Sequence, residues 1–129
     1  MKNFLVLAVL SLSTISCRQE ANQPQTEVNA KEVYGIVIKD ATILNRSLAL
    51  TLDCEVPDPS WEYSHYETLW KQDTINLKVY AKQRSVDGAP AVLVSIVAKI
   101  LLQMPSSGSY TIHYKAGYTY FKDSTFAFN

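Results

Sequence analysis

Four side chains in this sequence could act together on a bound molecule: Cys54, His65, Glu67 and His113. A thiol supplies a nucleophile, an imidazole a general base, and a carboxylate can orient the imidazole. Two histidines with one glutamate could instead hold a metal ion. The sequence context argues against both uses. Cys54 lies in "SLALTLDCEV", where Leu48, Leu50, Leu52, Cys54 and Val56 alternate with Ala49, Thr51, Asp53 and Glu55. Such period-two alternation describes a half-buried strand and puts the cysteine on its apolar face. There it behaves as a small hydrophobe. The spacing of His65, Glu67 and His113 matches no short metal-ligand motif. The sequence contains no Gly-rich phosphate loop, HExxH helix or nucleophile elbow. The chain therefore reads as non-enzymatic, with no cofactor and no metal.

The elements that must carry these groups are strands. "VYGIVIK", "SLALTLDCEV", "EYSHYETLW", "TINLKVYAKQ", "AVLVSIVAKILLQ", "SYTIHYK" and "YTYFKDSTFAF" follow one another from Val33 on, separated by short polar or glycine-containing breaks. The fifth is long enough for a helix, but its valines and isoleucines favour a strand. Seven short strands at this spacing predict an all-β sandwich.

Register then divides the aromatic stretch "PDPSWEYSHYETLW", residues 57–70. Ile75, Leu77, Val79 and Ala81 form one apolar set, so that face of the fourth strand is expected inside. A two-residue turn at Gln72 and Asp73 sets Trp70 opposite Ile75, Thr68 opposite Leu77 and Tyr66 opposite Val79, all inward. Outside, Glu67 meets Lys78, His65 meets Tyr80 and Tyr63 meets Lys82. A slip by one residue would bury Glu67. Trp61 is expected to cover an end of the core. For the last hairpin, a tight turn at Ala116 and Gly117 sets Ile112 opposite Phe121 inside, with His113 opposite Tyr120 and Lys115 opposite Tyr118 outside. The outer face so predicted carries Tyr63, His65, Tyr80, His113, Tyr118 and Tyr120. Tyrosine offers contact area at low entropic cost, so this face is the candidate partner-binding surface.

The N-terminus is organised differently. "MKN" is a short positive segment, Phe4–Leu12 is apolar, and "STIS" leads to Cys17. The apolar run is too short to span a bilayer, and its layout is that of a signal peptide. Polar "RQEANQPQTEVNAK" follows. The organisation predicted is a leader at 1–16, Cys17 with a flexible tether to residue 31, and one domain at 32–129. Loss of residues 1–16 removes only Lys2, turning 12 basic against 12 acidic residues into 11 against 12. That balance gives no basic surplus for nucleic-acid binding.

Ser16 and Cys17, with Ile15, resemble the lipobox of bacterial lipoprotein precursors, in the looser form found in Bacteroidetes-type lipoproteins; Thr14 departs from the usual leucine. The resemblance implies a diacylglyceryl thioether on Cys17, an acylated amine (palmitate or a similar chain) and a cell-envelope location. Arg18 leans toward the outer membrane. Lipidation of Cys17 would leave Cys54 without a disulfide partner. A second resemblance rests on "MPSSGSYTIHYKAG": Tyr110, after a proline and a glycine, looks like the tyrosine corner of immunoglobulin-like and fibronectin type III domains. It implies that the Tyr110 hydroxyl bonds backbone a few residues upstream. A fibronectin-like order would also set the third strand beside the sixth, with both histidines on one sheet face. The expected function is that of a lipid-anchored envelope protein binding another envelope protein or glycan. The alternatives are a purely structural accessory lipoprotein and an immunoglobulin-like proteinase inhibitor.

Overall fold

The computed structural model describes residues 29–84 and 90–129. The expected leader at 1–16, Cys17 and most of the expected tether lie outside these residues. Eight strands follow in order: β1 (Lys31–Glu32), β2 (Tyr34–Leu44), β3 (Ser47–Val56), β4 (Trp61–Lys71), β5 (Thr74–Gln83), β6 (Val94–Gln103), β7 (Gly108–Lys115) and β8 (Phe121–Phe128). They form two sheets packed as a sandwich. One is three-stranded, in the order β2-β3-β6. In the other, β5 is flanked by β4 on one edge and by β1 and β7 on the other, and β8 pairs beyond β7.

Alternation in the sequence builds the core. On β3, Leu48, Leu50, Leu52, Cys54 and Val56 all point inward and are buried. Each buried leucine or valine contributes roughly 1.5–3 kcal/mol relative to an exposed one. Ile75, Leu77, Val79 and Ala81 answer from β5, and Ile112 and Tyr114 from β7. On β6, Ala98, Ile100 and Leu102 are inside while Val97, Lys99 and Leu101 face out. That strand starts at Val94, three residues later than its apolar run suggested.

The eighth strand arises where the chain changes sheets. Lys31 and Glu32 pair with Ala81 and Tyr80 in the larger sheet. Val33, buried, donates its N–H to the Val79 carbonyl at 2.8 Å. Gly35 then turns the chain into the smaller sheet with φ +66, and the Glu55 side chain lies where a Cβ would stand. Only glycine takes this conformation under such a cover without strain.

The fibronectin-like adjacency is replaced by another. The strand bearing His65 (β4) does not touch the strand bearing His113 (β7), because β5 lies between them. β5 and β7 run parallel, with Thr74 beside Thr111 and Asn76 beside His113. Asp73, in the turn before β5, accepts the Thr111 N–H at 2.8 Å and helps fix this seam. Tyr110 has its hydroxyl 3.0 Å from the Ser106 carbonyl, four residues upstream, and donates to it.

Candidate functional site

The outer face of the larger sheet brings the polar and aromatic residues together. From the turn outward, the β4–β5 hairpin pairs as the apolar pattern demands: Trp70 with Ile75, Glu67 with Lys78, His65 with Tyr80. A bulge then inserts Ser64, so that Tyr63 pairs with Ala81 rather than Lys82. This corrects the expected placement of Tyr63. The extra residue turns it inward, where it packs on the core with Trp61 and Tyr66. Burial raises the pKa of its phenol. Had the regular register continued, Tyr63 would have stayed outside and Glu62 would have pointed in. The bulge leaves Glu62 beside Lys82 and Arg84 at 3.8 Å each. Trp70, expected in the core, keeps its inward register but sits on the edge strand and is 37% exposed, edge-on to Tyr110.

The last hairpin also differs from expectation. Ile112 pairs with Ser124, His113 with Asp123 and Lys115 with Phe121. The connection is five residues long, 116–120, so Tyr118 and Tyr120 stand in a loop and not on the sheet face. Side-chain burial gives the reason. The expected register would bury Asp123 and expose Phe126 and Phe128. The observed one buries Phe128, packs Phe126 on the core, and leaves Asp123 outside. The alternation of Phe126 and Phe128 was the signal in the sequence that could have fixed it.

Two histidine–aromatic stacks lie on this face, and one of them borders a groove. His65 lies flat on Tyr80, centroids 4.6 Å apart and planes 3° apart. Its Nδ1 is 2.8 Å from Ser64 Oγ. Its Nε2 is buried without a hydrogen-bond partner, 3.8 Å from Glu67 Oε1. The Tyr80 hydroxyl donates to Glu67 Oε2 at 3.1 Å. Burial, with that bond, raises the Tyr80 pKa. His113 stacks on Phe121, 4.7 Å and 11°, and its Nδ1 is 2.6 Å from Asp123 Oδ1. Beside the second stack lies a groove of about 910 Å³, lined by Glu67, Leu69, Asn76, Lys78, His113 and Phe121 but not by His65 or Tyr80. Glu32 and Lys115 close its end nearer the chain's N-terminal side. Both histidines thus share one face, as expected, but across β5 and not as neighbours. Leu69, Asn76, Phe121 and Asp123 join the site unforeseen. Asp123 was hidden by the misassigned register, and Asn76 carried no distinguishing signal.

The groove offers a bound molecule apolar contact, hydrogen-bonding groups and charges. Among the described residues, no three of His, Cys, Asp or Glu gather as metal ligands. Cys54 is far from reactive. It is buried, and that burial, with the Asp53 charge adding, pushes its thiol pKa up to about 12. A thiol so placed stays protonated and unreactive at neutral pH. Compared with protein-family models, curated proteins and solved structures, the chain matches none.

Proposed function

We propose that this protein is a small lipid-anchored component of a bacterial envelope that binds another envelope protein or glycan through the outer face of its larger sheet. The observation that carries the binding half is the groove bordered by the His113–Phe121 stack, Leu69, Asn76, Glu67 and Lys78. A concave site with apolar walls, convergent amide, carboxylate and ammonium groups, and aromatic platforms is the usual form of a binding site. The lipobox-like "TISC" ending at Cys17 supports the anchoring half. No helix among the described residues is long and apolar enough to cross a membrane, and β2 to β8 close on one another in a core of their own.

The two halves are tested apart. Cys17→Ser in the expressing cell should move the protein from the detergent-extracted to the soluble envelope fraction; retention in the membrane fraction would sink the anchor. For the groove, the mature chain is immobilised and exposed to solubilised envelope proteins and to cell-surface glycans. Leu69→Ser combined with Phe121→Ser should reduce capture at least tenfold, since few residues dominate binding energy. Leu101→Ser, on the outer face of the other sheet, should not. Equal capture by all three chains would place binding elsewhere.

A further inference from the structure

The two ends of the sandwich have different loops. The turns between β2 and β3 (Asn45, Arg46), β4 and β5 (Gln72, Asp73) and β6 and β7 (Pro105, Ser106, Ser107) are polar, and the exposed Leu44 and Leu69 near them belong to strands, not to the turns. At the opposite end the β3–β4 loop, 57–60, is polar, but the described part of the β5–β6 connection ends in Val92 and Leu93, and the β7–β8 loop carries Tyr118 and Tyr120. All four of these side chains are exposed, Tyr118 to 73% and Leu93 to 65%. They are not loosely placed. The Val92 N–H donates to the Pro90 carbonyl at 2.8 Å, and Gly117 N–H to the Tyr120 carbonyl at 3.1 Å. The Tyr120 ring lies against Gly117, in the space a Cβ would take. Tyr118 stands edge-on to Tyr34, centroids 4.8 Å apart.

This apolar end is also where the chain enters. β1 pairs with the last turn of β5, Lys31 beside Ala81, at the end where β3 finishes, β6 begins and β7 runs into its loop. Eleven residues, 18–28, separate Cys17 from the first described residue. A coil of that length has a root-mean-square reach of roughly 18 Å, about half the length of a ten-residue strand. A lipid on Cys17 would therefore hold this end, and not the polar one, against the bilayer surface.

From the position of the chain entry and the character of the loops there, we infer that Val92, Leu93, Tyr118 and Tyr120 form a membrane-docking tip that seats the domain on the lipid interface. The inference rests on the anchored reading proposed above. Tyrosine suits the headgroup boundary, where one end of the ring is apolar and the hydroxyl stays wet. Four side chains bind a membrane weakly alone, but a lipid on a short tether turns docking into an intramolecular step at millimolar effective concentration. Among the described residues, Lys31, Lys82, Arg84 and Lys115 at this end stand against Glu32, Glu55, Asp58 and Glu62. Docking is therefore apolar in origin and insensitive to salt. A docked tip would stand the sandwich upright and turn the groove sideways, parallel to the membrane and open to partners in the envelope.

The chain from Cys17 on tests this without depending on lipidation in the cell. Its Cys17 thiol is coupled to a maleimide-headgroup lipid in phosphatidylcholine vesicles; buried Cys54 does not compete. Amide hydrogen exchange is then compared between coupled and free chain. Exchange at 92–93 and 116–120 should slow at least threefold on coupling, in low and in high salt, while 45–46 and 72–73 stay unchanged. Leu93→Asp with Tyr118→Asp should abolish the slowing while the chain remains coupled. Unchanged exchange at 116–120, or equal slowing at both ends, overturns the docking tip and leaves the anchor untouched. Membrane retention of Cys17→Ser in cells would overturn the anchor alone.

Discussion

Two histidines lie on one sheet face, each flat against an aromatic ring, and they are held by different means. His65 is covered: its side chain is 16% exposed, and its Nε2 has no hydrogen-bond partner. What fixes it is Tyr80 beneath it and a bulge residue, Ser64, beside it. His113 is more open and is oriented by a carboxylate, Asp123, across the β7–β8 pair. The first is held by packing and strand irregularity, the second by a charge-assisted bond in water. Only His113 lines the groove; His65 packs beside it, outside the lining.

The strongest way to break that difference is to remove the bulge. Inserting one alanine between Tyr80 and Ala81 would give Ser64 a partner and force regular pairing, sending Tyr63 outward and pointing Glu62 at the core. A loss of about 3 kcal/mol or more is expected in urea denaturation, from the lost aromatic burial and the misplaced carboxylate. An unchanged midpoint would mean that the bulge is incidental.

The core near the His65 side also holds the ionisable groups most opposed to charging. The Cys54 thiol ionises near 9.0 when unfolded and only at about 12 when folded. Between those values the unfolded chain has released a proton that the native one still holds. Stability is therefore full below about pH 9 and falls as pH rises, by up to about 1.4 kcal/mol per unit. Tyr63 and Tyr80, whose pKa values are also raised, add loss of the same sign at still higher pH. Denaturation midpoints from pH 8 to 11 should show the slope, and Cys54→Ala should remove its earlier part.

Smaller effects separate the stacks themselves. Tyr80→Ala removes the His65 platform and a bond to Glu67. Phe121→Ala removes only an exposed ring, and Asp123 still holds His113. Losses of about 1 and about 0.5 kcal/mol are expected, and the reverse order would contradict the comparison. Smallest of all, Asp123→Asn should leave stability within about 0.5 kcal/mol. It should still change the His113 tautomer seen by nitrogen NMR and leave that of His65 as it was.

These contrasts also explain what the sequence could tell. The sandwich was legible because β3 and β5 alternate without interruption and only one register buries both sets. The lower part of the β4–β5 hairpin was legible for the same reason, since any slip buries Glu67. The bulge was not. Nothing local distinguishes Ser64 from a paired residue, and what favours the shift is the gain from burying Tyr63 and Trp61 in a core that the local sequence does not display. The β7–β8 register was misread because Gly117 suggested a tight turn, while the decisive term was the burial of Phe126 and Phe128 at the far end of the strand. Strand order was hidden most deeply. Whether β4 or β5 borders β7 depends on how two sheets close, and no stretch of neighbouring residues encodes that.

The parallel seam between β5 and β7 has a consequence for how the chain becomes a protein. The β4–β5 and β7–β8 hairpins each need only their own turns. Joining them requires Thr74 to find Thr111, with all of β6 made in between. Closing so long a loop costs entropy before any contact rewards it, so the seam should be the slow step of folding. Until it closes, β5 and β7 each present an unpaired edge. A refolding time course should find its slowest phase in the arrival of Ile112 against Ile75.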